Sequence, residues 1–145
     1  MPGGSASGCR KNNLMTHILI VDDQEAGRQL LKLLLELNGY RVTAAVNGLE
    51  ALAAARRDRP DAIISDVAMP KMDGFILCHT WMQDADLSAI PFIFYTANLK
   101  LREDQHVGVV LGAARYLLKP MEAEPFLHEL RTVLQQWAER SRPQA

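Results

Sequence analysis

Long apolar runs are missing from this sequence. No stretch approaches the roughly 18 residues that a membrane-spanning helix needs, and the first residues lack the basic-then-apolar layout of a signal peptide. No membrane anchor is expected, and the cytoplasm is the expected compartment. Cysteine is scarce: Cys9 and Cys78 are the only two, at no metal spacing and with no disulfide framework, so both read as inert thiols. An excess of one charge is also lacking. Lys and Arg number 16 against 17 Asp and Glu, a formal net charge of -1, which leaves nothing to drive nonspecific binding to nucleic acid. No direct nucleic-acid partner is expected. The sequence has no Gly-rich phosphate cradle of the P-loop or dinucleotide type, and His17, His79, His106 and His128 do not pair at ligand spacing, so they read as surface or packing residues.

What is present is 145 residues, 48% of them hydrophobic. That suffices for one domain with a sizeable core and not for two ordinary ones. Residues 1–15, rich in Gly, Ser and Asn without an apolar period, are expected to be a disordered leader or linker. Residues 16–138 form the expected domain, and 139–145 a frayed tail.

Short apolar runs alternate with helical periods through that domain. His17 to Val21 is a buried strand stopped by two aspartates, followed by a helix with Ala26, Leu30, Leu33, Leu34 and Leu37 at helical spacing and Gly39 as its terminator. Tyr40 to Ala45 is the second strand, and Asn47 is a cap for a helix presenting Leu49, Leu52 and Ala53. The basic cluster Arg56, Arg57 and Arg59 sits at that helix's C-terminal end, where the helix dipole favours positive charge. A third strand runs from about Asp61 to Ser65, and a loop with Pro70 and Gly74 leads into a helix of Phe75, Cys78, Trp81 and Met82. Pro91 opens a fourth strand. Asn98 is a candidate cap for a fourth helix with the thin stripe Val107, Val110 and Leu111, ended by Gly112. Tyr116 to Leu118 is the fifth strand, and the last helix carries Phe126, Leu130, Val133, Leu134 and Trp137, with Pro125 tolerated in its first turn. Strand-then-helix repeated five times calls for an α/β fold, a parallel sheet covered on both faces. The economical winding is the flavodoxin-like (βα)5 doubly wound sheet with strand order 2-1-3-4-5.

That order sets the first and third strands side by side, so Asp22, Asp23 and Asp66 converge at their carboxyl ends, where ligands bind in open α/β sheets. Close carboxylates oppose one another by about 4 kcal/mol per pair at an effective dielectric near 20, so the cluster needs a cation or a proton. Mg²⁺ meets that need, since it prefers oxygen ligands and is typically held by one or two carboxylates with waters and a phosphate. Lys119 supplies a mobile point charge at the fifth strand end, and Thr96 a hydroxyl at the fourth. Asp66 can then act as a nucleophile toward phosphorus, with neighbouring cations neutralising the transferring group.

The segments ILIVDD, IISDVAMPKMDG, Thr96-Ala97 and YLLKP, in this order and at this spacing, resemble the receiver domain of bacterial two-component response regulators over about residues 16–138. The resemblance implies that Asp66 is the phosphoacceptor and that Asp22, Asp23, Asp66 and the Ala68 carbonyl bind Mg²⁺. It also implies that Lys119 and Thr96 contact the phosphoryl group, that a cis bond precedes Pro120, and that Tyr116 is the aromatic switch coupled to Thr96. The phosphodonor histidine is expected on a partner, a histidine kinase or histidine phosphotransfer protein. The fourth helix, fifth strand and fifth helix are the expected output surface, for a homodimer or a fused output domain. The stretch DGFILCHTWMQDADLSAIPFIFYTAN further resembles receivers attached to PAS, histidine kinase or cyclase multi-domain proteins.

At the two positions that commonly tune dephosphorylation this sequence has Ala68 and Asn98. Ala68 cannot orient a water, which implies a long-lived acyl phosphate. Other readings of the same architecture fit less well. Aspartate-nucleophile phosphohydrolases resemble DxDGT at the first strand, whereas Asp23 is followed here by Gln24. A flavin carrier is disfavoured by acids crowding the phosphate position. A phosphorylation-independent docking module would not require the full set of Asp22, Asp23, Asp66, Thr96 and Lys119.

Overall fold

The computed structural model describes residues 15–97 and 101–140; Cys9 and the expected cap Asn98 lie outside the described residues. Five strands, β1 (His17–Val21), β2 (Arg41–Ala45), β3 (Ala62–Ser65), β4 (Phe92–Thr96) and β5 (Arg115–Leu118), alternate with five helices, α1 (Glu25–Leu37), α2 (Gly48–Arg57), α3 (Gly74–Gln83), α4 (Leu101–Leu111) and α5 (Ala123–Arg140). The strands form one parallel sheet in the order β2-β1-β3-β4-β5, the flavodoxin-like winding expected from the alternation of elements. No described helix is long and apolar enough to cross a membrane.

The sheet is apolar on both faces because successive strand side chains point to opposite sides. Leu19, Val21, Ile63, Phe92 and Phe94 join one core with Ala51, Leu77 and Trp81 from α2 and α3. Ile18, Ile20, Ile64 and Ile93 join the other, with Leu35 of α1 and Phe126, Leu130 and Val133 of α5. Trp81 is fully buried and its indole N–H donates to the Ile90 carbonyl at 3.1 Å, which satisfies the one polar atom that burial would strand. His17 is a core residue rather than a surface one: it is 3% exposed, with Nε2 2.7 Å from the Thr43 hydroxyl and Nδ1 3.3 Å from the Arg59 carbonyl. Asn47 caps α2 by accepting from the Glu50 amide, and Gly39 and Gly112 take positive φ at the ends of α1 and α4.

Helix phase is where periodicity alone misleads. Leu30, Leu33 and Leu37 of α1 are 68%, 54% and 76% exposed, and Ala26 is exposed too; the inward face is instead Leu31, Leu34 and Leu35. Leucine recurs so densely in QLLKLLLEL that two stripes of the same period overlap, and contact with the sheet selects between them. In α2 the buried residues are Gly48, Ala51, Leu52, Ala54 and Ala55, while Leu49 and Ala53 face out. Small side chains let that helix lie close to the sheet, so the large Leu49 is turned away. Val110 of α4 is 71% exposed, and Leu111 packs inward.

This phase carries a measurable consequence. Leu35→Ala should lower unfolding free energy by about 3 kcal/mol through lost burial and a cavity, whereas Leu33→Ala should change it by less than about 0.5 kcal/mol; urea melts of the two variants check it, and equal losses would contradict the assigned face.

Candidate functional site

The polar residues begin where the ladder ends, and each strand end is held by one further backbone bond. The Asp22 amide donates to Ala45 O at 3.2 Å, the Asp66 amide to Val21 O at 3.0 Å, and the Lys119 amide to Thr96 O at 2.8 Å. Sheet geometry therefore continues into the site, and its side chains start from fixed Cα positions. The loop after Asp66 closes tightly on itself. Gly74 donates its N–H to Val67 O at 2.7 Å, and a Cβ at Gly74 would collide with the Asp66 carbonyl oxygen, so no other residue fits the start of α3 at this approach.

Lys119, Asp22 and Asp66 meet at the centre. The Lys119 ammonium donates to Asp22 Oδ2 at 2.8 Å and to Asp66 Oδ2 at 3.4 Å. The remaining oxygens are also engaged: Asp22 Oδ1 accepts from the Gln24 amide at 2.9 Å and Asp66 Oδ1 from the Val67 amide at 2.7 Å. Both carboxylates are thereby oriented and mostly buried, with side chains 8% and 13% exposed. Burial of Lys119 opposes its charge. The hydrogen bond to Asp22, the charges of Asp66 and Asp22 and the hydrogen bond to Asp66 outweigh that, and hold the ammonium above the ordinary lysine range.

Asp23 is half-buried beside Asp22, and its carboxylate forms no hydrogen bond or ion pair with the described residues. Thr96 is 2% exposed at the end of β4, paired in register with Leu118. Ala68 is exposed in the loop between buried Val67 and Met69. Tyr116 directs its ring at Phe94, with centroids 5.6 Å apart, and lies against Gly108 of α4, where an added Cβ would come within 3.2 Å of it. The Lys119–Pro120 peptide is cis. Cys78 is fully buried and burial pushes its thiol up to about 12, far from a reactive thiolate.

The donor set suits a hard divalent cation. Among the described residues no three acidic, histidine or cysteine side chains are drawn together closely enough to hold a metal alone, but Mg²⁺ needs only one or two carboxylates when waters and a phosphate complete its shell. Asp22, Asp23 and Asp66 at adjoining strand ends meet that requirement.

Three contributors escape a reading by motif. Arg28 Nη1 donates to the Asp22 carbonyl at 2.9 Å, bracing the strand end from the first turn of α1. Gly27 faces Asp22, and a Cβ there would lie 3.2 Å from Oδ2. Tyr95 lies with its ring centroid 5.4 Å from the Lys119 ammonium; its place in FIFYT, one residue before Thr96 on the opposite face, was the available signal. A small cavity of about 20 Å³ runs between Gly27, Leu31, Tyr95 and the three charged residues. A wider cleft of about 420 Å³, beside Thr16, Pro60, Pro91 and Trp137, lies at the opposite end of the sheet from these charges.

Removing the ammonium should expose its contribution to stability. Because its pKa is held above the ordinary lysine range in the folded chain, the stabilisation is complete below that range and is lost as pH rises through and beyond it. The stability gap between wild type and Lys119→Met, measured by urea melts in the absence of divalent cations, should therefore narrow from pH 8 to strongly alkaline pH; a gap independent of pH would mean the contacts are incidental.

Comparison with known proteins places this geometry. The family model of the response regulator receiver domain matches residues 18–131. The chain is similar to protein PilH of Pseudomonas aeruginosa, 38% identical over 120 residues that cover 83% of this chain and 98% of PilH. It is also similar to response regulator MprA of Mycobacterium leprae, at 40% identity over 81% of this chain and 50% of MprA. The solved structure of chemotaxis response regulator CheY4 of Vibrio cholerae superposes with a TM-score of 0.76 at 36% identity, covering 82% of this chain and 98% of that one.

Proposed function

This chain belongs to the response regulator receiver family, and from that premise we propose that it accepts a phosphoryl group on Asp66 and relays the event by a change of surface. The observation that carries the reading is the contact of Lys119 with both Asp22 and Asp66, three residues distant in sequence and gathered at one sheet edge. The donor is a phosphohistidine on a histidine kinase or histidine phosphotransfer protein, met in the cytoplasm.

In the transfer an Asp66 carboxylate oxygen forms a bond to phosphorus as the P–N bond to the donor imidazole breaks; the bonding pair leaves with the nitrogen, which takes up a proton. The Val67 amide holds one Asp66 oxygen in place, so the carboxylate is presented in a single orientation and little of the barrier goes to arranging it. Lys119, already within 3.4 Å of Asp66, offers its charge to the oxygens of the incoming group. The Thr96 hydroxyl at the adjoining strand end supplies a donor to the same oxygens. Asp22, Asp23, Asp66 and the Ala68 carbonyl are the assigned Mg²⁺ ligands; when bound, the ion neutralises charge on the phosphoryl oxygens. The reaction is one the module performs on itself, with no turnover of a free substrate.

The readout runs through Thr96 and Tyr116. Tyr116 leans on Phe94 and closes against Gly108, so movement of its ring alters how α4 seats on the sheet. We assign α4, β5 and α5 as the output surface, for a second copy or a fused output domain. The exposed stripe Leu30, Leu33 and Leu37 on α1 supports docking of a helical, histidine-bearing donor there. The alternative, a docking module indifferent to phosphorylation, has less support, since it gives no reason for a lysine to be held between two carboxylates.

Intact mass after incubation with acetyl phosphate and Mg²⁺ should rise by one phosphoryl group, and the gain should vanish in Asp66→Asn; a folded wild type that gains nothing would favour the docking module. Once labelled, the protein should keep its phosphoryl group longer than Ala68→Asn does, by about tenfold, because Ala68 offers no polar group to orient water; equal decay of the label in the two proteins would remove Ala68 from the explanation.

A further inference from the structure

The residue before Thr96 is as closely engaged with the site as the assigned residues are. Strand alternation sends Tyr95 to the face covered by α1 and α5, where its ring packs on Phe126 with centroids 4.8 Å apart. The same ring lies 5.4 Å from the Lys119 ammonium, within the roughly 6 Å at which a ring face attracts a cation. Its hydroxyl accepts a hydrogen bond from the Met121 amide at 3.2 Å. The two residues flanking Pro120 are thus tied to consecutive residues of β4: the Lys119 amide to Thr96 O, and the Met121 amide to the Tyr95 hydroxyl.

We propose that Tyr95 is a positioning residue for Lys119, its ring face holding the ammonium and its hydroxyl holding the backbone just beyond Pro120. The inference rests on the reading of Asp66 as phosphoacceptor and adds a determinant to it. Lysine is a point charge on a flexible four-carbon stem and needs a wall to fix it. In this site the ammonium lies closer to Asp22, at 2.8 Å, than to Asp66, at 3.4 Å, with the Tyr95 ring beside it. The Tyr95 ring borders the lysine together with the small cavity lined by Leu31 and Ile64, and so limits how far the ammonium can withdraw from Asp66 when the phosphoryl group arrives. An aliphatic side chain of similar bulk fills the space and supplies neither the ring face nor the hydroxyl.

The test compares wild type, Tyr95→Phe and Tyr95→Leu, with Tyr95→Ile as a second aliphatic variant so that one poorly folded protein does not decide the matter. With acetyl phosphate and Mg²⁺, Tyr95→Leu should lower the saturating rate of labelling about fivefold while the half-saturating acetyl phosphate concentration moves less than about twofold. The NMR resonances of the Lys119 methylene protons next to the ammonium should lose their ring-current shift in both aliphatic variants. Tyr95→Phe should keep that shift and recover the rate to within about twofold of wild type, with faster hydrogen exchange at the Met121 amide. Lys119 resonances unmoved by loss of the ring, or Tyr95→Phe as slow as Tyr95→Leu, would overturn the proposal. An unlabelled wild type would overturn the phosphoacceptor reading instead, and the Lys119 resonances would still report whether the ring holds the ammonium.

Discussion

A single ammonium between two carboxylates is the contact on which the site depends. Asp22 and Asp66 leave adjoining strands with their side chains mostly buried, and Lys119, 97 positions after the first and 53 after the second, reaches both. Without a cation the two acids would oppose each other by about 4 kcal/mol at close approach. With it, each carboxylate has one oxygen on the ammonium and one on a backbone amide. The same arrangement that relieves the repulsion suits the nucleophile proposed above: a carboxylate already oriented and already facing a positive charge needs little rearrangement to react.

The sheet makes that contact possible by carrying its hydrogen bonding past the last strand residues. Parallel strands place all their carboxyl ends on one edge, and the extra rungs from Asp22, Asp66 and Lys119 to neighbouring carbonyls stop those ends from splaying. Helix approach does the rest. Gly27 lets α1 pass close to Asp22, and Gly74 lets α3 begin against the Asp66 backbone. At Gly74 a β-carbon would collide with the Asp66 backbone, so glycine is required there by the distance of approach; at Gly27 it would lie 3.2 Å from Asp22 Oδ2, a tight contact that glycine avoids.

The two faces of the sheet divide the labour. On one, Phe94, Tyr116 and Gly108 form the aromatic contact between β4, β5 and α4, which suits a surface that changes state. On the other, Tyr95, Phe126 and Met121 bind the lysine-bearing turn to the body of the domain, which suits a part that must stay put. Consecutive residues Tyr95 and Thr96 of β4 serve opposite faces, a direct result of the two-residue period of a strand.

Much of this was legible beforehand. Short apolar runs ending in Asp22, Asp66, Thr96 and Lys119 locate the strands and their polar ends, because a parallel strand buried on both faces needs continuous apolar residues and a site at its end needs polar ones. Gly39 and Gly112 as helix ends and Asn47 as a cap follow from local backbone chemistry. The helix faces did not follow. In α1, leucines stand on nearly every side, so both stripes have the same period and only the contact of Leu31, Leu34 and Leu35 with the second core selects the inner one. Nor could the sequence reveal that Tyr95 touches Lys119, that Arg28 braces the Asp22 carbonyl, or that Gly27 faces a carboxylate. Local pattern determined what each segment is, since period, caps and breakers act over a few residues. Which side chains meet was decided by the tertiary structure, because those distances depend on how separate segments are brought together by the packing of the whole domain.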